Sequence, residues 1–264
     1  TGATSHKFDT VAGVTQGNLW QFGNSGTVTI YGDTHGGVQH SWNMPTVFNV
    51  KSARFGALGN NSSDDTTAIT NAIAAAAASE NGSTGAIVYF PKGVYVVNST
   101  ITLTNRVRLV GTGKRNSVLR AGGSFSFNGS TDAVVRIGDA STNAFGALVE
   151  HMGIDCNAVA SSIGVYSTRC EEGSGLRDCV VQGYVVKGIY FATSGCQNWT
   201  LDHLELFKAS ANTTAIGIDI DSSASTNEIR DVTINGLDTT DSTNPACRIA
   251  TANVSIRRMH IETH

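Results

Sequence analysis

Leu176-Arg177-Asp178-Cys179-Val180-Val181 and Leu201-Asp202-His203-Leu204-Glu205-Leu206 carry apolar side chains at positions 1, 4 and 6 of a six-residue frame. The frame recurs at Val149-Met152-Ile154, Ile229-Val232-Ile234 and Ile256-Met259-Ile261, and its first members lie 27, 25, 28 and 27 residues apart. A second, shorter frame travels with it: Gly164-Val165-Tyr166, Gly188-Ile189-Tyr190, Gly217-Ile218-Asp219 and Ala246-Cys247-Arg248. Two strand types recurring at one period predict stacked repeats. A period in the middle twenties is about what three short strands and their turns consume. Leucine-rich repeats have a similar length, but their L-x-x-L-x-L framework is missing. The expectation is an all-β parallel β-helix, a solenoid whose equivalent side chains stack about 4.8 Å apart into continuous ladders.

The composition agrees with this reading. Of 264 residues 40% are hydrophobic and only 15% charged, with 29 Gly and 3 Pro, an all-β and turn-rich profile. A net charge of -3 offers no basic field, so neither nucleic acid nor an anionic membrane is expected as a partner. No apolar run approaches the roughly 18 residues of a membrane span, and no membrane insertion is expected. The 5 cysteines contain no C-x-x-C pair, which argues against a zinc knuckle and a full disulfide framework. Cys179 sits in a core position and reads as a small buried apolar residue.

Residues 1–46 read as a β-rich leader or attachment segment, with Trp20, Phe22 and Trp42 as capping or partner-facing aromatics. Residues 47–264 read as the solenoid. One helix is expected over about 64–79, with Asp64 and Asp65 as N-cap oxygens and Ala68, Ile69, Ala72, Ile73 and Ala76 as its apolar stripe, ending near Asn81-Gly82. Its small-sided face suits packing over an open end of the solenoid. After Ile256-Met259-Ile261 no polar capping segment follows, which predicts more protein or a partner over that end.

Residues 53–120 sharpen the fold. Phe55-Gly56-Ala57-Leu58-Gly59, Asp64-Asp65-Thr66, the Ala/Ile helix, Gly85-Ala86-Ile87-Val88-Tyr89-Phe90-Pro91-Lys92-Gly93-Val94-Tyr95 and Leu109-Val110-Gly111-Thr112-Gly113 follow one another in order. This stretch resembles the N-terminal region of the pectate-lyase-like superfamily of right-handed β-helices, which includes many phage tailspikes. Arg54 stands where that pattern has an acid, and Asn60-Asn61 where it has Asp-Gly. The resemblance implies a right-handed helix, a polysaccharide as partner and, for spikes, a homotrimer. It implies no single activity, because enzymes and non-enzymatic spikes share the motif.

Candidate site residues come from stacking the coils. Hydrolysis needs an acid and a base flanking one glycosidic bond. The Gly-His-Gly of polygalacturonase-like enzymes is absent, and Trp199-Thr200-Leu201-Asp202-His203 only approximates the Trp-Ile-Asp-His of pectate lyases. Between core positions 1 and 4 two columns read His151, Asp178, His203, Asp231, Arg258 and Glu150, Arg177, Asp202, Arg230, Arg257. Their mostly alternating signs suit a stabilising ladder, with Asp178, His203 and Asp231 as the acid/base alternative. Glu205 and His260 fall in the column between positions 4 and 6. An acid/base pair is expected from Glu205, Asp219 and Asp221, with Asp178 and His203 as further candidates. Tyr166, Tyr190, Asp219 and Arg248 form an outward wall on the shorter frame, where aromatic faces and Arg248 would hold sugar. No cofactor is expected: calcium, which the resemblance to lyases of this fold leaves as an option, is not supported, since the isolated Asp residues do not make a recognisable calcium cage.

Three readings follow: a tailspike or fibre-like receptor-binding protein that recognises, and as a finer option depolymerises, a cell-surface polysaccharide; a secreted polysaccharide lyase or glycoside hydrolase; and a non-enzymatic structural solenoid. The first places the protein on a virion surface, the second outside the cell.

Overall fold

The computed structural model describes residues 28–31, 39–42, 47–79, 85–103, 105–139, 141–192, 196–209, 214–221, 227–236, 245–250 and 253–262. The chain divides into two units, Thr1–Met44 and Pro45–His264. In the first, Val28–Tyr31 pairs antiparallel with Gln39–Trp42. The expectations for Trp20, Phe22 and the side chain of Trp42 lie outside the described residues.

The second unit is a parallel β-helix. Among the described residues its shorter sheet has six strands, stacked in the order Ile101–Leu103, Val135–Ile137, Ile163–Ser167, Lys187–Phe191, Ile216–Ile220 and Cys247–Ile249. The larger sheet begins as two separate wings. Val47–Asn49, Ala86–Phe90, Val107–Gly111 and Leu148–Glu150 form one; Asn60–Asp64, Gly93–Val97, Ser117–Ala121 and Gly153–Asp155 form the other. Both wings converge on the long strand Gly175–Tyr184, followed by Thr200–Lys208, Asn227–Asn235 and Val254–Glu262.

Between the two wings, from Leu148–Glu150 onward, stands a corner residue at frame position 3. His151, Asp178, His203, Asp231 and Arg258 have φ of 54°, 48°, 56°, 51° and 55°. An extended strand points every second residue inward, so inward positions 1 and 4 cannot lie on one flat strand. A single left-handed residue between them turns the corner and restores both flanks to the core. The column expected along a strand is therefore a column of corners, and Asp and His are among the residues that tolerate this backbone best.

Core ladders run through the coils as the frame dictates. Leu176, Leu201 and Ile229 are stacked neighbours, as are Cys179, Leu204 and Val232, and Val181, Leu206 and Ile234. All nine are at most 1% exposed, and burying such an aliphatic side chain is worth about 1.5–3 kcal/mol. Burial pushes the Cys179 thiol up to about 12, which makes it a packing residue, not a nucleophile. Trp199 is core as well, 1% exposed and edge-on to Phe191 at 4.8 Å, so it belongs to no surface signature.

The helix spans Thr66–Ala78 and packs on Val47–Asn49, Ala86–Phe90 and Ile101–Leu103, with Ile69, Ala72, Ile73 and Ala76 buried. Ala68 is half-buried, and Asn81-Gly82 lies outside the described residues. The cap differs from expectation. Asp64 Oδ1 accepts from the Thr66 amide at 2.9 Å, whereas the Asp65 carboxylate turns away from the helix and accepts from Leu58 N at 2.6 Å and Gly59 N at 2.9 Å. Asp65 occupies the N-cap position but ties down the preceding turn by accepting from two of its amides.

Candidate functional site

The outward columns separate the expected site residues onto different faces. Glu205 lies on the long sheet, in the column Val118, Gly153, Val180, Glu205, Thr233, His260. Asp219 lies on the shorter sheet, in the column Arg136, Tyr166, Tyr190, Asp219, Arg248. The expected acid/base set of Glu205, Asp219 and Asp221 is therefore divided between two sheets. A period of one coil fixes which residues stack, but not which of three sides they share.

The shorter-sheet wall forms in the expected register, but within it Tyr166 and Asp219 are buried, Tyr190 is half-buried and Arg248 is exposed. Tyr166 is 6% exposed, packed with Ala133, Ile163 and Ala192 in a second apolar cluster. Its ring centroid is 5.5 Å from that of Tyr190, whose face is occupied by Lys187 Nζ at 3.1 Å. Asp219 is 0% exposed. Its two oxygens take Arg248 Nε at 2.7 Å and Nη2 at 2.9 Å, and Lys187 Nζ stands at 2.7 Å. Asp221 sits at the rim, 3.8 Å from Arg248. A carboxylate whose two oxygens both face cations, and which is shut from solvent, fits the role of a structural counter-ion. Burial and ion pairing set Asp219 apart from the solvent-reached acid or base expected of it, and Tyr166 at 6% exposed offers little face to a sugar.

The corner face of the long sheet is different. Residues 112–116 connect Val107–Gly111 to Ser117–Ala121 and bulge outward, anchored by Thr112 N to Ser117 Oγ at 3.0 Å and Gly113 N to the His151 carbonyl at 3.0 Å. Gly153 makes room for this loop, since a Cβ there would meet the Lys114 carbonyl at 2.7 Å. From the loop Lys114 reaches across the coils, 3.4 Å from Asp178 and 2.9 Å from Glu205. Arg115 meets Glu205 at 2.5 Å and lies 5.8 Å from the Phe207 ring. His151 Nδ1 is 2.8 Å from Asp178 Oδ2. Beside this cluster lies a cleft of about 170 Å³ lined by Lys114, Arg115, Val118, Gly153, Val180 and Gln182. His203 is exposed at the same corner. The structure thus brings Asp178, His203 and Glu205 onto one face and adds Lys114, Arg115 and Phe207, which the repeat pattern missed. The Lys-Arg pair directly after Gly111-Thr112-Gly113 was the available signal.

The charges decide what this face does chemically. A hydrogen bond from Lys114, helped by the charges of Lys114 and Arg115, outweighs partial burial and holds the Glu205 carboxyl below its usual range. Partial burial alone would raise Asp178, but His151 and Lys114 outweigh it and lower that carboxyl too. Burial likewise opposes the Lys114 charge and loses to Glu205 and Asp178, so its ammonium is held above the usual lysine value. Both carboxylates stay ionised and the lysine stays protonated near neutral pH. Glycoside hydrolysis needs one carboxyl kept protonated as general acid, and the lowered Glu205 and Asp178 run against that role. The arrangement suits binding of hydroxyls and charged groups.

Glu205→Gln is expected to free the loop without unfolding the protein. These ion pairs are partly exposed, so urea unfolding should change by less than about 1 kcal/mol, while amide exchange across residues 112–116 accelerates. The pH dependence has two limbs. The lowered carboxylates contribute above their unfolded values, and this contribution is lost as pH falls through the lowered ones. The raised Lys114 contributes below its unfolded value and is lost as pH rises through the raised one. Exchange in the loop, corrected for intrinsic rate, should be slowest between these limits, and Glu205→Gln should flatten the minimum.

Comparisons place this architecture. The Geobacillus virus E2 protein ORF18 superposes with a TM-score of 0.60 at 22% identity, covering 88% of this chain and 48% of its own. The iota-carrageenase of A. fortis superposes with a TM-score of 0.59 at 13% identity, covering 83% and 47%. A probable glucan endo-1,3-beta-glucosidase of Arthroderma benhamiae is 41% identical over 76 residues, 27% of this chain and 9% of that protein. The chain thus spans about half of these two solved structures and a small part of the sequence relative. The family model Rhamnogalacturonase A/epimerase, pectate lyase-like, matches residues 47–263, and the chain belongs to this family of pectate-lyase-like right-handed β-helices.

Proposed function

We propose that the protein recognises a cell-surface polysaccharide along the corner face of its long sheet, as the receptor-binding part of a virion spike or fibre. The observation that carries this reading is the cleft beside Lys114 and Arg115, with ionised Asp178 and Glu205 at its edge and half-buried Phe207 beyond it. Carboxylates accept hydrogen bonds from sugar hydroxyls, Arg115 donates, and an aromatic face takes the apolar side of a pyranose. At about 170 Å³ the cleft is smaller than the roughly 300–1,000 Å³ of enclosing ligand pockets, so it grips one unit of a chain laid along the coils. The similarity to a viral protein supports the virion setting, and the spike resemblance brings with it an extracellular location and a homotrimer. Cleavage is the secondary reading, supported by the carrageenase and glucosidase similarities but opposed by the protonation states on this face.

The test is binding of the full chain to a panel of acidic and neutral surface polysaccharides, with reducing and unsaturated ends monitored in parallel. Phe207→Ala is expected to weaken binding about tenfold, equivalent to roughly 1.4 kcal/mol, with Lys114→Ala altering salt dependence. Affinity unchanged by either substitution, or no binding by any member of the panel, would overturn this assignment of the face. Release of new chain ends would favour the enzymatic reading. Sedimentation of the chain as a monomer at micromolar concentration would count against a trimeric spike.

A further inference from the structure

The cleft beside Lys114 and Arg115 has an apolar floor beneath its charged rim. Val118, Gly153 and Val180 line it from one outward column on three successive coils. The floor stays bare because position 153 is glycine: a Cβ there would stand 3.1 Å from Val118 Cγ2. Gln182 lines the cleft as well, and among the described residues its side-chain amide has no hydrogen-bond partner. An apolar patch and an uncommitted amide therefore meet in a space of about 170 Å³.

The charges at the rim are already spent on one another. Lys114 lies 2.9 Å from Glu205 and 3.4 Å from Asp178, and Arg115 lies 2.5 Å from Glu205. Two cations face two carboxylates, which leaves no net positive charge to draw an acidic sugar. A carboxylate or sulfate entering the cleft would approach Glu205, and an ammonium would approach Lys114 and Arg115; like charges repel in both cases. The register adds a position. Val180 and Gln182 stand directly beside Glu205 and Phe207 on the neighbouring strand, about 4.8 Å away. A pyranose resting on Phe207 thus projects a ring substituent over Val180 and Gln182.

The geometry points to an acetamido group, the N-acetyl substituent of an amino sugar, as the part of the glycan that this cleft selects. The group is uncharged, with a methyl on one side and an amide on the other. Its methyl covers Val118 and Val180, and the Gln182 side chain supplies both an acceptor for the acetamido N–H and a donor for its carbonyl. A hydroxyl in the same place would satisfy Gln182 but leave the apolar floor in contact with water. This inference rests on the proposed recognition of polysaccharide at this face and names the class of sugar recognised.

The test titrates the full chain with three β-1,4-linked hexasaccharides that differ only in the substituent beside the anomeric carbon: the hexamers of N-acetylglucosamine, glucosamine and glucose. The N-acetyl hexamer is expected to bind about tenfold more tightly than either of the others, with NMR saturation transfer strongest at its acetyl methyl. Gln182→Leu, and Gln182→Glu as a variant that keeps the shape but not the donors, should each bring the preference down to about twofold at unchanged circular dichroism. Phe207→Ala should weaken all three hexamers alike. Equal binding of the N-acetyl and glucose hexamers, or a preference that both Gln182 variants retain, would overturn the acetamido assignment, and a common loss in Phe207→Ala would then still support polysaccharide recognition at this face. Binding of none of the three would also overturn it, with the polysaccharide panel deciding the face separately.

Discussion

Asp219→Ala is expected to destabilise the protein by about 3–5 kcal/mol in urea unfolding, the range for removing one partner of a buried ion pair. Asp219 is fully buried, and Lys187 and Arg248 both spend their charge on it. With the carboxylate gone, Lys187, whose side chain is 15% exposed, is left facing Tyr190 and Arg248 with no anion between them. Asp219→Asn keeps the shape and one acceptor oxygen but not the charge, and should fall between alanine and wild type. Replacing the whole network with apolar residues of similar volume should cost less than Asp219→Ala alone, because no orphaned cation remains. If Asp219→Ala is as stable as wild type, the network is not the clamp of the shorter sheet. Polysaccharide binding normalised to folded protein should be unaffected, since Asp219 and the corner cleft lie on different sheets.

Gly188→Val is expected to prevent formation of the stacked solenoid. A Cβ at Gly188 would stand 2.6 Å from the Gly217 carbonyl oxygen and 3.0 Å from Leu206 and Tyr184 side-chain carbons. The side chains can shift; the carbonyl is part of the next coil's backbone and cannot move without parting two coils that are hydrogen-bonded rung by rung. Overpacking of a core commonly costs about 1–3 kcal/mol, and a clash repeated against backbone should exceed that, giving insoluble protein. Gly217 repeats the constraint, with its Cβ position 2.7 Å from the Ala246 carbonyl. Gly123 has open space around it, so Gly123→Ala should change stability by no more than about 0.5 kcal/mol. Soluble, cooperatively unfolding Gly188→Val protein would show that the coils can separate locally.

These two positions show how the sequence encodes the fold. In a solenoid, residues one period apart become direct neighbours, so a one-dimensional repeat is also a contact map. That is why Tyr166, Tyr190, Asp219 and Arg248 could be aligned in their true register before any coordinates, and why the ladder Glu150, Arg177, Asp202, Arg230 closes into ion pairs, with Arg177 to Glu150 at 3.2 Å and Arg230 to Asp202 at 2.9 Å. The gap of three between frame positions 1 and 4 was visible too, but its cause, a left-handed corner, depends on backbone angles that no side-chain pattern states.

The candidate site was less legible for the same reason. Its organiser, the loop 112–116, occurs once and has no period, so nothing in the repeat reveals that Lys114 crosses coils to reach Asp178 and Glu205. Accessibility was equally hidden. A polar or aromatic residue at an outward position reads the same whether solvent or another layer lies above it, and the apolar cover over Tyr166 comes from residues such as Ala133 and Ala192 that lie outside the frame.

By itself the sequence determined the stacked β-helix, its core ladders and the register of its outward columns, because periodicity and neighbourhood are the same property in this architecture. Only the tertiary structure decided which columns share a face, which are buried by neighbouring side chains and which remain open, because those depend on residues outside the repeat and on where single-copy loops fold back across the coils.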